Sequence, residues 1–308
     1  MATYVLRHCS FFLCLIVYGH GHERRLNMIR CRGIEKSFSD KKVLSGIDLD
    51  INDGQIFGLL GPSGAGKTTL IKIITGQLSY DGGSALIMDK EAGDLTREDN
   101  RRIGIMMDNF GVYDRFSCTD NLKVFADIYG TPYAKIAESL ELVGLKSAAK
   151  KSASDLSKGM RARLQLARVF MHSPEILFLD EPTSGLDPRS SKAIHRLIRD
   201  KKKEGCTIFL TTHNMEEAYE LCDTVALLNE GRIVDIGAPD ELCRKYDSKK
   251  TIRVHLNTGE DIELPCGEES GKKIGELIAA GMAETIHSSE PDLETVFLEL
   301  TGKKLEEE

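Results

Sequence analysis

The chain has 308 residues, 41% hydrophobic and 29% charged, and a formal net charge of −7. That size and balance suit a soluble globular protein with one large core and room for a small second unit. The acidic excess argues against a nucleic-acid partner, because neutralising a phosphate backbone needs a basic face.

Along the chain, Phe11 to Tyr18 is apolar and follows Arg7 and His8, the look of a short signal sequence, but it is too short to span a bilayer. Met28 opens what reads as a domain, so residues 1–27 are expected to be a dispensable extension or the product of an early start codon. No other stretch approaches membrane-spanning length, so any service to a membrane would pass through a partner. The eight cysteines (Cys9, Cys14, Cys31, Cys118, Cys206, Cys222, Cys243, Cys266) form no CxxC pair and have no histidines at ligand spacing. Neither a zinc site nor a disulfide framework is expected, and thiols in a reducing, cytoplasmic setting are.

Gln55 to Leu60 is a mostly apolar run of strand length, and Thr68 to Thr75 places Leu70, Ile71, Ile73 and Ile74 at helical spacing before Gly76. Between them lies Gly61-Pro62-Ser63-Gly64-Ala65-Gly66-Lys67-Thr68-Thr69, the P-loop pattern in its required strand-to-helix setting. Gly61 and Gly66 allow backbone N–H groups to close on phosphate oxygens, and the helix N-terminus adds its dipole. Lys67 is expected to reach the β- and γ-phosphates, and Thr68 to hold Mg²⁺. The ligand is a nucleoside triphosphate.

A P-loop needs an acidic partner on a neighbouring strand. Ile176 to Leu179 is an unbroken apolar run, as a parallel sheet covered on both faces requires, and it ends in Asp180-Glu181. Asp180 is expected on the metal side, through water, and Glu181 as the general base that orients or deprotonates the attacking water.

Leu156-Ser157-Lys158-Gly159-Met160 and the helix-like run to Arg168 resemble the signature motif (LSGGQ) of ABC-type ATPases, with Lys158 and Met160 departing from its usual Gly and Gln. The resemblance covers about residues 28 to 240 and implies an α/β fold. That fold is a P-loop NTPase (RecA-like) core with an antiparallel β-subdomain and a helical insertion at about 108–173. It implies that Ser157, Gly159 and Asp187 contact ATP held by an opposite subunit, Asp187 from the D-loop-like Ser184-Gly185-Leu186-Asp187. It also implies that His213 is the switch histidine at the γ-phosphate and that Phe38 stacks on adenine, although Phe38 also reads as a plain strand aromatic. Where the family usually has the Q-loop glutamine, this chain has Asp108, which could ligate Mg²⁺, slow hydrolysis or alter sensing of the membrane partner.

The helical insertion, with amphipathic runs Asn121 to Tyr129 and Ala134 to Leu142, is where the family docks its membrane subunit. Asp81-Gly82-Gly83 signals a hairpin in the β-subdomain. The ATPase domain is expected over 28–246 and a small α+β unit over 247–308. That unit should hold a hairpin at Thr251 to Leu264, a helix at Lys272 to Ala280, and a last helix capped by Ser288 or Ser289 and stopped by Gly302. Its ending resembles ATPase subunits of ABC-2 type exporters, including drug and peptide-antibiotic resistance systems.

The resemblance implies an ATP- and Mg²⁺-dependent motor, paired as a homodimer or with a related ATPase subunit. It would be peripheral on the inner face of the membrane through a separate multi-spanning permease. A nucleotide-binding regulator with little hydrolysis, kept open by Asp108, and a soluble non-transport ABC ATPase are the alternatives. The C-terminal unit could regulate, dimerise or pack.

Overall fold

The computed structural model describes residues 28–107, 111–246, 251–288 and 292–302; the 1–27 extension and Asp108 lie outside them. The chain opens with two long antiparallel strands, β1 (Ile29–Phe38) and β2 (Lys41–Ile51). Both alternate buried and exposed residues, as a sheet with one covered face does. Next come β3 (Ile56–Leu60), buried at every residue, and α1 (Lys67–Ile74). β4 (Gly82–Ile87) then pairs antiparallel with β1, and the short β5 (Lys90–Glu91) completes a four-stranded sheet ordered β2-β1-β4-β5.

The expected hairpin at Asp81 does not form, because Gly82 already belongs to a strand that pairs with the distant β1. Gly83, at φ 93°, lets the two backbones approach: a Cβ there would lie 2.4 Å from the carbonyl oxygens of Arg32 and Gly33. Asp81 instead accepts hydrogen bonds from Lys36 Nζ (3.0 Å) and the Ser37 N–H (2.6 Å).

After α2 (Arg97–Asn100) and β6 (Ile103–Met106) come three helices, α3 (Cys118–Tyr129), α4 (Ala134–Leu142) and α5 (Lys158–Phe170), in the stretch expected to be helical. The chain then alternates β7 (Ile176–Asp180), α6 (Pro188–Lys203), β8 (Thr207–Thr212), α7 (Met215–Leu221), β9 (Thr224–Asn229) and β10 (Arg232–Gly237), ending the body with α8 (Pro239–Lys245). The second sheet runs β10-β9-β3-β8-β7-β6, parallel throughout except for β10 at its edge. Its inner strands are apolar on both faces because one face meets α1 and the four-stranded sheet while the other meets the helices. Phe209 anchors the first of these layers, its ring centroid 5.5 Å from those of Phe57 and Phe178.

Strand register places the polar residues of this sheet. Leu60 at the end of β3 lies beside Thr212, and Asp180 at the end of β7 lies beside Thr211. The C-terminal ends of β3, β7 and β8 therefore open on one crevice, where parallel sheets of this kind bind ligands.

Beyond the body, β11 (Thr251–Leu256), β12 (Asp261–Pro265), α9 (Glu268–Ala279) and β13 (Ala283–Ser288) form a three-stranded antiparallel sheet with one helix. The expected hairpin is there, but β13 joins it on the other side of β11, and the helix begins at Glu268 rather than Lys272. The last helix, α10 (Leu293–Thr301), returns to α7 and α8 and buries Leu293, Val296 and Phe297 in the apolar cluster between the large sheet and its helices. Its cap is Asp292, whose Oδ1 accepts from the Thr295 N–H and hydroxyl (both 2.8 Å), not Ser288 or Ser289. Ser288 ends β13, and Ser289 lies outside the described residues. Gly302 terminates the helix in the left-handed conformation at φ 68°.

Because Phe297 is 1% exposed, Phe297→Ala should destabilise the chain by about 3–5 kcal/mol. Chemical denaturation would read this as a lower midpoint. An unchanged midpoint would mean that α10 is not docked.

Candidate functional site

The P-loop leaves β3 and enters α1 through Gly64 (φ 75°) and Gly66 (φ 110°), the latter capping the helix in a conformation closed to most side chains. Gly61 is needed for a different reason, since a Cβ there would meet the carbonyl oxygen of Leu228 at 2.3 Å. Lys67 is 5% exposed, and its Nζ donates to the carbonyl oxygens of Gly61 (2.7 Å) and Pro62 (3.2 Å). It also lies 3.3 Å from Glu181 Oε1. Ser63 and Thr68 are exposed at the mouth of the loop, with Pro62 and Thr69 half-buried and Ala65 buried beneath them.

The Thr68 hydroxyl donates to Asp180 Oδ2 (2.7 Å), and the Thr211 hydroxyl donates to Asp180 Oδ1. Asp180 is thus a buried carboxylate supported by two hydroxyls, and the oxygen-only set of Thr68 and Asp180 suits Mg²⁺, which prefers hard oxygen ligands. Glu181 takes a left-handed backbone conformation (φ 48°), uncommon outside glycine, and its N–H is fixed by the Thr211 carbonyl (3.0 Å) and hydroxyl (3.2 Å). Its second carboxylate oxygen lies 3.1 Å from His213 Nδ1. One carboxylate therefore faces the P-loop lysine on one side and a histidine on the other. That is the arrangement needed to hold a base beside a phosphate.

A second group assembles apart from the first. Ser157 is exposed at the head of α5 and accepts from the Met160 N–H (3.3 Å), so its hydroxyl also serves as the helix cap. A Cβ on buried Gly159 would lie 2.5 Å from Ser190 Oγ, and one on Gly185 would lie 2.3 Å from Lys158 Nζ. The signature-like segment and the loop before α6 are therefore packed together. Asp187 caps α6, accepting from the Ser190 N–H (3.0 Å) and hydroxyl (2.6 Å), and the Ser190 hydroxyl is the main reason its carboxyl is held below the ordinary range. Phe38, at the end of β1, is 46% exposed with Lys36 Nζ 5.5 Å from its ring centroid.

A family model described as ABC transporter matches residues 44–184. The fluoroquinolones export ATP-binding protein of Mycobacterium tuberculosis is 38% identical over 294 residues, 90% of this chain and 94% of that one. The linearmycin resistance ATP-binding protein of Bacillus subtilis is 31% identical, covering 90% of this chain and 99% of its own. A solved ATP-binding subunit of an ABC transporter superposes with a TM-score of 0.65 at 25% identity, covering 71% of this chain and 93% of the other. The chain belongs to the ABC transporter ATP-binding family.

As an ATPase of that family, it places Lys67, Thr68, Asp180, Glu181 and His213 in one cluster and Ser157, Gly159 and Asp187 in another. Thr211 is missing from the sequence expectations. Thr207, Thr211 and Thr212 are all buried in β8 and buried hydroxyls need partners, but nothing local in the sequence says that Asp180 is the partner of Thr211. Asn121, at the start of the amphipathic run and part of the family-like Asp120-Asn121-Leu122, is buried and ties the segment before α3 by accepting from the Tyr113 N–H (2.7 Å) and donating to the carbonyl oxygens of Tyr113, Phe116 and Ser117. The described thiols do not enter the site, and burial pushes those of Cys31 and Cys206 up to about 12. No helix among the described residues is long and apolar enough to cross a membrane.

Proposed function

We propose that this chain is the motor subunit of an exporter, in which two ATPase subunits close on ATP and hydrolysis lets them open. The observation that carries the reading is Glu181, held at once against Lys67, His213 and Thr211 beside the Thr68–Asp180 pair. Glu181 takes the proton of the attacking water, Lys67 balances charge on the phosphates, and His213 keeps the Glu181 carboxylate aimed. Thr68, with Asp180 through water, would hold Mg²⁺, which supplies charge neutralisation at the phosphate oxygens. Asp108 is proposed as a further oxygen ligand.

The head of α5 (Ser157, Gly159) and Asp187 serve the ATP of the opposite subunit, a second copy or a related ATPase, and the exposure of Ser157 and Asp187 supports this. Phe38, exposed at a strand end, is the adenine platform. Tyr113, Phe116, Ile128, Tyr133 and Leu142 are exposed apolar groups on or beside α3 and α4, which supports docking of a separate multi-spanning membrane subunit there. The chain would then sit on the cytoplasmic side through that partner. Export follows from the relatives, whose names describe fluoroquinolone export and linearmycin resistance.

Light scattering on the full chain tests the closure. With Mg²⁺ and a non-hydrolysable ATP analogue the mass should double from 34.1 kDa, and with ADP it should not. A monomer in both conditions would contradict the sandwich.

A further inference from the structure

Behind the loop that carries Glu181, a row of polar side chains stands that the proposed reaction does not use. The Thr183 hydroxyl donates to Glu217 Oε1 (2.6 Å), and the same oxygen lies 3.0 Å from His195 Nε2. His195 Nδ1 lies 3.4 Å from Glu220 Oε2, which Arg199 also approaches at 3.4 Å. Glu217 and His195 are 3% and 7% exposed, and among the described residues Glu217 Oε2 has no hydrogen-bond partner. Thr183, His195, Glu217 and Glu220 line a cavity of about 340 Å³ that Glu181 and His213 also line.

A half-satisfied carboxylate is an unfavourable way to fasten α6 to α7, since apolar side chains of similar volume would fasten them at least as well. What a carboxylate adds is direction: it fixes where the Thr183 hydroxyl sits. Thr183 is only two residues from Glu181. The segment between them and Asp187 is internally tied, with the Ser184 N–H donating to the Glu181 carbonyl (3.2 Å) and the Leu186 N–H to the Thr183 carbonyl (3.0 Å). On the other side, Glu217 lies in the first turn of α7, four residues after His213, and its own N–H donates to Oδ1 of the capping Asn214 (2.9 Å). Glu217 therefore joins both members of the Glu181–His213 pair to one frame.

We propose that Glu217, braced by His195, is a positioning residue for ATP hydrolysis, acting through Thr183 to hold the Glu181–Asp187 loop against His213. The proposal rests on Glu181 serving as the base. Glu217 is not among the residues assigned above to ATP or Mg²⁺, so its loss should act on turnover rather than on ATP binding.

The test compares steady-state ATP hydrolysis by the full chain and by Thr183→Val, Thr183→Ser, Glu217→Leu and the Thr183→Val/Glu217→Leu double variant. A base displaced by about 1 Å loses up to roughly a hundredfold in rate, so Thr183→Val and Glu217→Leu should each lower kcat by about ten- to a hundredfold with KM for ATP within about twofold. The double variant should be no slower than the worse single one, because both remove the same tie. Thr183→Ser, which keeps the hydroxyl, should retain kcat. Wild-type kcat in Thr183→Val, or losses that multiply in the double variant, would overturn the proposal. Thr183→Val against Thr183→Ser decides it without altering the buried charge. Glu181→Gln separates the two failures: wild-type turnover there would condemn the base assignment itself.

Discussion

Glu181→Gln is expected to lower kcat by about 10²–10⁴-fold while ATP affinity stays within a few fold, the range lost when a positioned general base is removed. The substitution keeps the shape: the amide oxygen can take the place of Oε1, 3.3 Å from Lys67, while the NH2 replaces Oε2, 3.1 Å from His213 Nδ1. It removes the negative charge and with it the basicity, at nearly constant volume. Binding should survive because the proposed assignment gives the phosphates to the P-loop backbone and Lys67 and not to Glu181. Single-turnover hydrolysis, with nucleotide affinity measured on the same sample, gives the answer. A rate within about threefold of wild type would move the base elsewhere.

Lys67→Met should damage both binding and turnover. Lys67 is the buried cation of the loop, donating to the Gly61 and Pro62 carbonyl oxygens and facing Glu181. Methionine fills the same space without charge, so the loss reports the electrostatic role and not a cavity. Removing one preorganised donor to a charged transition state costs on the order of 10²–10³ in kcat, and weaker ATP binding should accompany it. Because Glu181 loses its cationic neighbour, the carboxylate would stand beside phosphate anions with less balance, a further reason for slow turnover. Loss of affinity with unchanged kcat would restrict Lys67 to ground-state binding.

These groups are legible in the sequence for a physical reason: phosphate binding demands glycine, lysine and a hydroxyl at fixed spacing along one strand-turn-helix, so Gly61 to Thr69 carries its own context. Asp180 and Glu181 are legible because an unbroken apolar strand ending in two acids is unusual. Thr211 is not, since its role exists only through the β7–β8 register, which brings residues 31 positions apart together. Thr183, His195 and Glu217 come from three separate elements and are hidden for the same reason. In the C-terminal region the apolar stripe of α10 is visible, but nothing local says that Leu293, Val296 and Phe297 return to α7 and α8. β13 escapes a sequence reading because Ala283 to Ser288 offers weak alternation, and pairing with β11 decides its state. At the cap of α10, Asp292 is adjacent to the helix and captures Thr295 with both hydrogen bonds, which local spacing alone does not rank above the serines.

Whether this ATPase works on a membrane partner is measured most directly by recovering the chain, tagged at its C-terminus, from gently solubilised native membranes, with the bound proteins identified and ATP hydrolysis assayed on the same sample. A multi-spanning protein recovered together with hydrolysis that stops when Mg²⁺ is chelated is the predicted result; recovery of ribosomes, or of the chain alone and inert, would contradict it.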